Sequence, residues 1–175
     1  PERIQYELQR LLLGPWADHA VRLIKEFRFL DLWSNSKDLF DIEHVCVTDA
    51  FENTELSFAL PLIRLTNLLS EEGLAKLCFS RKAQKRSQML RKWQKRNDGI
   101  AFQSLSEADR LQLHKDLEND LPALVIALPS QQQKEWLNRW RDPGDPLFHP
   151  SAPIDGNLLK RELEISPGPL LGRLI

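Results

Sequence analysis

The sequence predicts an all-α protein, and three observations predict it. Apolar residues recur with helical spacing along most of the chain. Start and stop residues flank those runs. No Asn-Gly-type turn joins two alternating strands. The expected arrangement is an elongated multi-helix array of short helical hairpins with a small C-terminal helical tail element. Its parts are a partial hairpin over residues 1–35, a helical body over 36–141, and a Pro-rich linker with a truncated tail element over 142–175.

From Glu2 to Leu13 the positions Ile4, Leu8, Leu11 and Leu12 form one apolar stripe, opened by Pro1 and Glu2 and stopped by Gly14-Pro15. A second helix is expected from Trp16 to about Leu32, with Ala20, Val21, Ile24 and Phe27 inward, folded back on the first because the connection is short. A polar break at Ser34 to Ser36 precedes a helical stretch reaching about Glu52. Val45-Cys46-Val47 within it is β-branched but has no second strand to pair with. Ser57 to Leu69 reads as a buried helix with Pro61 in its first turn, and Ser70 caps a short helix after it. The body continues with helices from Arg81 to Asn97, Ser104 to Asn119 with Ser106 as N-cap, Pro122 to Leu128, and Ser130 to Arg141. Pro143, Gly144, Pro146, Pro150 and Pro153 make the next stretch a linker. Ile154 to Glu164, a Pro-Gly turn and Leu170 onward form the tail.

Composition narrows the function classes. The chain has 175 residues, 42% apolar and 28% charged, with a formal net charge of -1. That apolar content excludes a disordered chain, and no apolar run reaches the roughly 18 residues of a membrane span. No short basic stretch leads into an apolar block, so no secretory leader is expected. Cys46 and Cys78 are too few for a disulfide framework and lack paired zinc spacing. Both are expected as reduced, buried thiols of a cytoplasmic protein. The near-zero charge excludes a uniformly basic nucleic-acid binder but leaves room for a basic stripe. The chain opens on Pro1 and closes on what reads as the first turns of a helix, as an excised piece of a longer protein does.

Catalytic signatures are scarce. There is no Gly-rich phosphate loop and no nucleophile elbow. His19, His44, His114 and His149 lack metalloprotease spacing and read as surface or packing residues. Asp38 and Asp41, with Glu43 nearby, share a helix face in a pattern some magnesium sites use, but solvated surface acids have the same spacing. Trp16, Trp33, Trp93, Trp136 and Trp140 read mainly as core or helix-interface anchors.

One segment stands apart. From Arg81 to Asn97 the charged residues are Arg81, Lys82, Lys85, Arg86, Arg91, Lys92, Lys95 and Arg96, with no acid among them. Like charges at i, i+4 disfavour such a helix by about 0.2–0.5 kcal/mol per pair. A solvated face with counterions is one reading. The other places this charge against phosphate, which makes Arg81, Lys82, Lys85, Arg86, Lys92, Lys95 and Arg96 candidate RNA-binding residues that position a duplex without reading its bases.

Three stretches carry a family pattern. Pro1-Glu2-Arg3-Ile4-Gln5-Tyr6-Glu7-Leu8-Gln9-Arg10-Leu11-Leu12-Leu13-Gly14-Pro15, followed by Ala20, Leu23 and Glu26, resembles the neck segment of the bacterial tRNA nucleotidyltransferase and poly(A) polymerase family. Leu74-Ala75-Lys76-Leu77-Cys78-Phe79-Ser80 is similar to that family's Leu-x-x-Leu-Lys-Phe-Ser step into a body helix. Ala152-Pro153-Ile154-Asp155-Gly156-Asn157-Leu158-Leu159, continuing from Ile165 through Pro167-Gly168-Pro169 to Leu174, resembles its tail element. The order is right and the span covers nearly the whole chain, while residues 98–141 match nothing. Two positions depart: Arg28-Phe29-Leu30 stands where the family usually has a glycine before a leucine pair, and Glu164 stands where a glycine often precedes Ile165.

The resemblance implies an RNA-binding role within an enzyme that adds CMP and AMP to tRNA 3′ ends, or adenylates to RNA. The substrates are nucleoside triphosphates and the metal is magnesium. It places the metal-binding and nucleotide-selecting motifs in an N-terminal head and upper neck that this chain lacks. The chain alone is therefore expected to be inactive, with no catalytic residue, metal or cofactor of its own. Its expected partners are tRNA or another RNA and its own catalytic head, with no membrane. Gly168, in the Pro-Gly-Pro turn, is expected to let backbone N–H groups meet a phosphate. Glu2, Arg3 and Glu7 are expected to be structural, forming ion pairs around the neck helix so that it supports the head. Two rivals are a helical protein-interaction module with no RNA role, and a self-contained enzyme using Asp38 and Asp41 with a metal.

Overall fold

The protein is described by a computed structural model over residues 1–34, 47–96, 104–150 and 156–163. Every regular element among these residues is an α-helix: α1 (Glu2–Leu13), α2 (Ala17–Glu26), α3 (Asn53–Leu68), α4 (Glu71–Lys76), α5 (Arg81–Arg96), α6 (Glu107–Leu117), α7 (Leu121–Val125), α8 (Ser130–Arg141) and α9 (Gly156–Leu163). The all-α class and the multi-helix array follow directly from this. No described helix is long and apolar enough to cross a membrane.

α1 and α2 form the expected hairpin, with Leu8, Leu12, Ala17 and Val21 buried. α2 stops at Glu26, short of the expected Leu32, and the backbone shows why. Arg28 has φ 57, the Phe29 N–H reaches back to the Ile24 carbonyl (3.1 Å), and the Arg28 N–H reaches the Lys25 carbonyl (3.2 Å). This is a Schellman ending, which favours glycine at the left-handed position. Arg28 stands there instead.

The helix expected from Ser36 to Glu52 lies largely outside the described residues, as do Cys46, His44, Asp38, Asp41 and Glu43. Its described end, 47–52, is turn and extended chain. α3 starts at Asn53, where the Glu52 N–H donates to the Glu55 carboxylate (2.9 Å), half of a capping box. The earlier start puts Pro61 in mid-helix rather than in the first turn.

α3 is the spine. Ala59, Leu62 and Ile63 belong to one core with Leu90, Trp93, Leu113, Leu117, Leu121, Leu124, Trp136 and Leu137. Leu65 and Leu68 belong to a second with Leu8, Leu12, Val21, Leu30, Leu74, Leu77 and Phe79. The two cores meet along α3 and α5. Ion pairs, each with one buried partner on α3, tie sequence-distant helices to this spine. Arg64 of α3 donates to both oxygens of Asp18 (2.7 Å each) and to the Leu12 carbonyl (2.9 Å). Arg141 of α8 donates to both oxygens of Glu55 (2.8 and 2.7 Å) and to the Ala50 carbonyl (2.8 Å).

α4 is a six-residue helix with Ser70 as the expected N-cap, accepting from the Gly73 N–H at 2.9 Å. It ends in a second Schellman pattern: Phe79 N–H to Leu74 carbonyl, Cys78 N–H to Ala75 carbonyl, and Cys78 at φ 61. Leu74 and Phe79 meet in the core, as that motif favours, while Cys78 is exposed rather than buried as expected. Ser80 then caps α5, accepting from the Ala83 N–H at 3.2 Å. The Leu74–Ser80 motif is thus a stop-and-restart device. Residues 142–150 hold no helix, as the prolines dictate, yet Leu147 and Phe148 are buried in the core.

Candidate nucleic-acid interface

α5 packs against α3, α4, α6 and α7. Its buried residues are Ser87, Leu90, Trp93 and Gln94. The Ser87 hydroxyl shares a 2.9 Å hydrogen bond with that of Thr66, and these small side chains let α5 approach α3 closely. The cations therefore occupy the flanks and the outer face.

They divide into two groups. Arg86 makes a bidentate pair with Asp120 (2.8 and 2.6 Å), Lys92 pairs with Asp116 (2.7 Å), and Arg96 makes a bidentate pair with Asp109 (2.9 and 2.8 Å). Arg91 donates to the carbonyls of Thr66 (2.7 Å) and Leu69. The acids missing from the helix come from α6 and the turn after it. A helix without acids of its own need not seek phosphate, and the charges of Arg86, Lys92 and Arg96 are already balanced within the protein. Sequence reasoning missed this because the three aspartates lie 13 to 34 residues away.

Arg81, Lys82 and Lys85 form the second group. They are exposed, and among the described residues no carboxylate lies within ion-pair distance of them. Arg81 and Lys82 occupy the first turn of α5, which contains no acid. Cations there face the positive end of the helix dipole, an arrangement that costs about 0.3–1 kcal/mol each. Lys95 is exposed at the rim of a cleft that also holds Glu71, Glu72 and Gln88.

Asp116 is the electrostatic hub behind this face. Burial pushes its carboxyl up, but hydrogen bonds from Lys92, Trp93 (Nε1, 3.0 Å) and Gln112 (2.7 Å) outweigh that and hold it below the ordinary carboxylate range. Arg96, helped by the Ser106 hydroxyl, holds Asp109 low as well. Trp93 is buried with Lys92 and Arg96 over its ring at 5.4 and 5.3 Å. It is a core anchor, as is Trp136, whereas Trp16 is 77% exposed.

Gly168 lies outside the described residues. Glu2, Arg3 and Glu7 are exposed on α1, and among the described residues none of them makes an ion pair. His114 and His149 pack edge to face, ring centroids 5.8 Å apart, each bonded to a backbone carbonyl; this is a packing role. Among the described residues no cluster of His, Cys, Asp and Glu is arranged to hold a metal. Phe27, expected to face inward, is 60% exposed because α2 ends before it, and Tyr6, Leu13, Trp16, Phe29 and Leu32, on or beside the hairpin, are exposed as well.

Fold and site together define an all-α protein in which the first turns of α5 present cations that have no carboxylate partner among the described residues. Compared with protein-family models, with curated proteins and with solved structures, the chain matches none.

Proposed function

We propose that this chain is the RNA-binding neck, body and tail region of a cytoplasmic, bacterial-type tRNA nucleotidyltransferase or poly(A) polymerase. In this reading it holds RNA for a separate catalytic head, and the head supplies magnesium, ATP or CTP, and the chemistry. The observation that carries the reading is the exposed trio Arg81, Lys82 and Lys85 at the positive end of α5, charges the fold leaves without a carboxylate among the described residues. A polyanion relieves that repulsion. The resemblance adds support, since its neck stretch coincides with the α1–α2 hairpin and its Leu74–Ser80 step coincides with the restart that aims α5.

The test is tRNA binding by fluorescence anisotropy across a salt titration. The chain should bind with steep salt dependence, and R81E/K82E/K85E should reduce the slope by about 0.7–0.9 per lost phosphate contact. Charge reversal at Arg86 or Lys92 is a poorer probe, because it also breaks an internal ion pair. Equal binding by the triple variant and the parent rules the reading out.

The exposed apolar residues on and beside the α1–α2 hairpin favour a second reading, a helical protein-interaction module with no RNA role. That module predicts no salt-dependent tRNA binding at all.

A further inference from the structure

We propose that the groove between α1, α3 and the first half of α5 receives an unpaired nucleobase of the RNA held by the α5 cations. The inference rests on the RNA reading above and assigns it a second contact.

The groove has a volume of about 380 Å³, room for a flat heterocycle. Its walls include Leu13, Phe58, Pro61, Phe79 and Ala83, with Arg86 at one side. Leu13 stands at the rim, 68% exposed. Two features suit a base rather than an aliphatic side chain. Both oxygens of Asp120 hold one edge of the Arg86 guanidinium, through Nε and Nη2, so this group offers an oriented plane whose charge is already balanced; guanidinium planes stack on aromatic rings. Pro61 has no N–H, so the Ser57 carbonyl lacks its normal helical donor, and both residues line the groove.

Charge selects the occupant. Lys82 lies one turn before Arg86 on the same side of α5, and Lys85 and Arg81 follow around the exposed face. A protein helix docking in the groove would have no use for these cations. A single-stranded nucleic acid pairs flat apolar faces with a charged backbone and satisfies both surfaces.

The experiment uses the whole chain and two RNA hairpins with 3′ extensions of equal length, one of adenosines and one of abasic sugar-phosphate. Both carry the same charge, so their difference reports the base alone. The adenosine form should bind about fivefold tighter or more. L13Q and F58S should abolish that preference while leaving the salt slope intact, whereas R81E/K82E/K85E weakens both RNAs together. Leu13 is exposed, so L13Q tests the groove even if F58S fails to fold. Equal affinities for the two RNAs, the outcome for a groove that takes a protein, overturn the inference and leave the RNA reading standing. A preference that survives L13Q also overturns it. No binding of either RNA at low salt removes both.

Discussion

Arg28 and Cys78 hold a left-handed backbone that a side chain disfavours, and both are exposed. Replacing either with glycine relieves that strain at the cost of extra unfolded-state freedom. Arg28→Gly and Cys78→Gly should each stabilise the protein by about 0.5–1 kcal/mol, read in urea unfolding. The Arg28–Asp31 pair lost with the first is a surface contact of small worth. Gly73 is the opposite case. A Cβ there would sit 1.9 Å from the Trp33 carbonyl oxygen, which accepts from the Ser70 N–H (2.8 Å) and hydroxyl (3.0 Å). Gly73→Ala should lower the melting temperature sharply and loosen the packing of residues 27–34 on α4, seen as faster amide exchange at Ser70. At Asp116 the sign of the pH effect follows from the depressed carboxyl. A group whose folded pKa is lowered stabilises the fold above its unfolded value of about 3.9, and that contribution disappears as pH falls through the folded value. Stability should therefore drop below about pH 4, and Asp116→Asn should flatten that part of the profile.

At the scale of the element, α5 serves two demands on one cylinder. Its inner residues join both cores, and its outer residues carry charge that the neighbouring helix only partly offsets. The first turns of α5, whose cations lack a carboxylate partner among the described residues, are electrostatically costly. R81Q/K82Q should consequently raise stability by about 0.3–1 kcal/mol per site while weakening RNA binding. A purely structural role for these residues predicts no such opposition. Thermal melts and anisotropy on the same double variant decide between them. α3 shows another compromise, since a mid-helix proline normally breaks a helix. Here burial on several sides, together with Arg64 and Glu55 locked to other helices, keeps α3 continuous through Pro61.

For the whole molecule, cohesion depends on contacts that span the chain. Arg141 reaches Glu55 across 86 residues and joins α8 to the start of the spine. Glu55 is 5% exposed, so Arg141→Ala leaves a buried carboxylate unpaired and should cost about 3 kcal/mol in urea unfolding. Arg64 plays the corresponding part between the spine and the α1–α2 hairpin. With both latches intact, the hairpin's exposed apolar residues and the cationic end of α5 keep a fixed relation to each other.

Periodicity and capping residues alone determined the helical class, most helix limits, and the N-caps at Ser70 and Ser106, because these depend on neighbours within one or two turns. The acid-free character of α5 was equally plain in its residues. The early end of α2 and the left-handed stop of α4 were not, since no glycine announced those positions at Arg28 and Cys78. Nor was the fate of the positive charges. Whether Arg86, Lys92 and Arg96 meet phosphate or carboxylate depends on Asp120, Asp116 and Asp109, and only tertiary packing brings those within hydrogen-bond reach. Local pattern chose the elements because helix formation is a short-range equilibrium. The fold chose which cations remain unpaired because electrostatic pairing acts through space rather than along the chain.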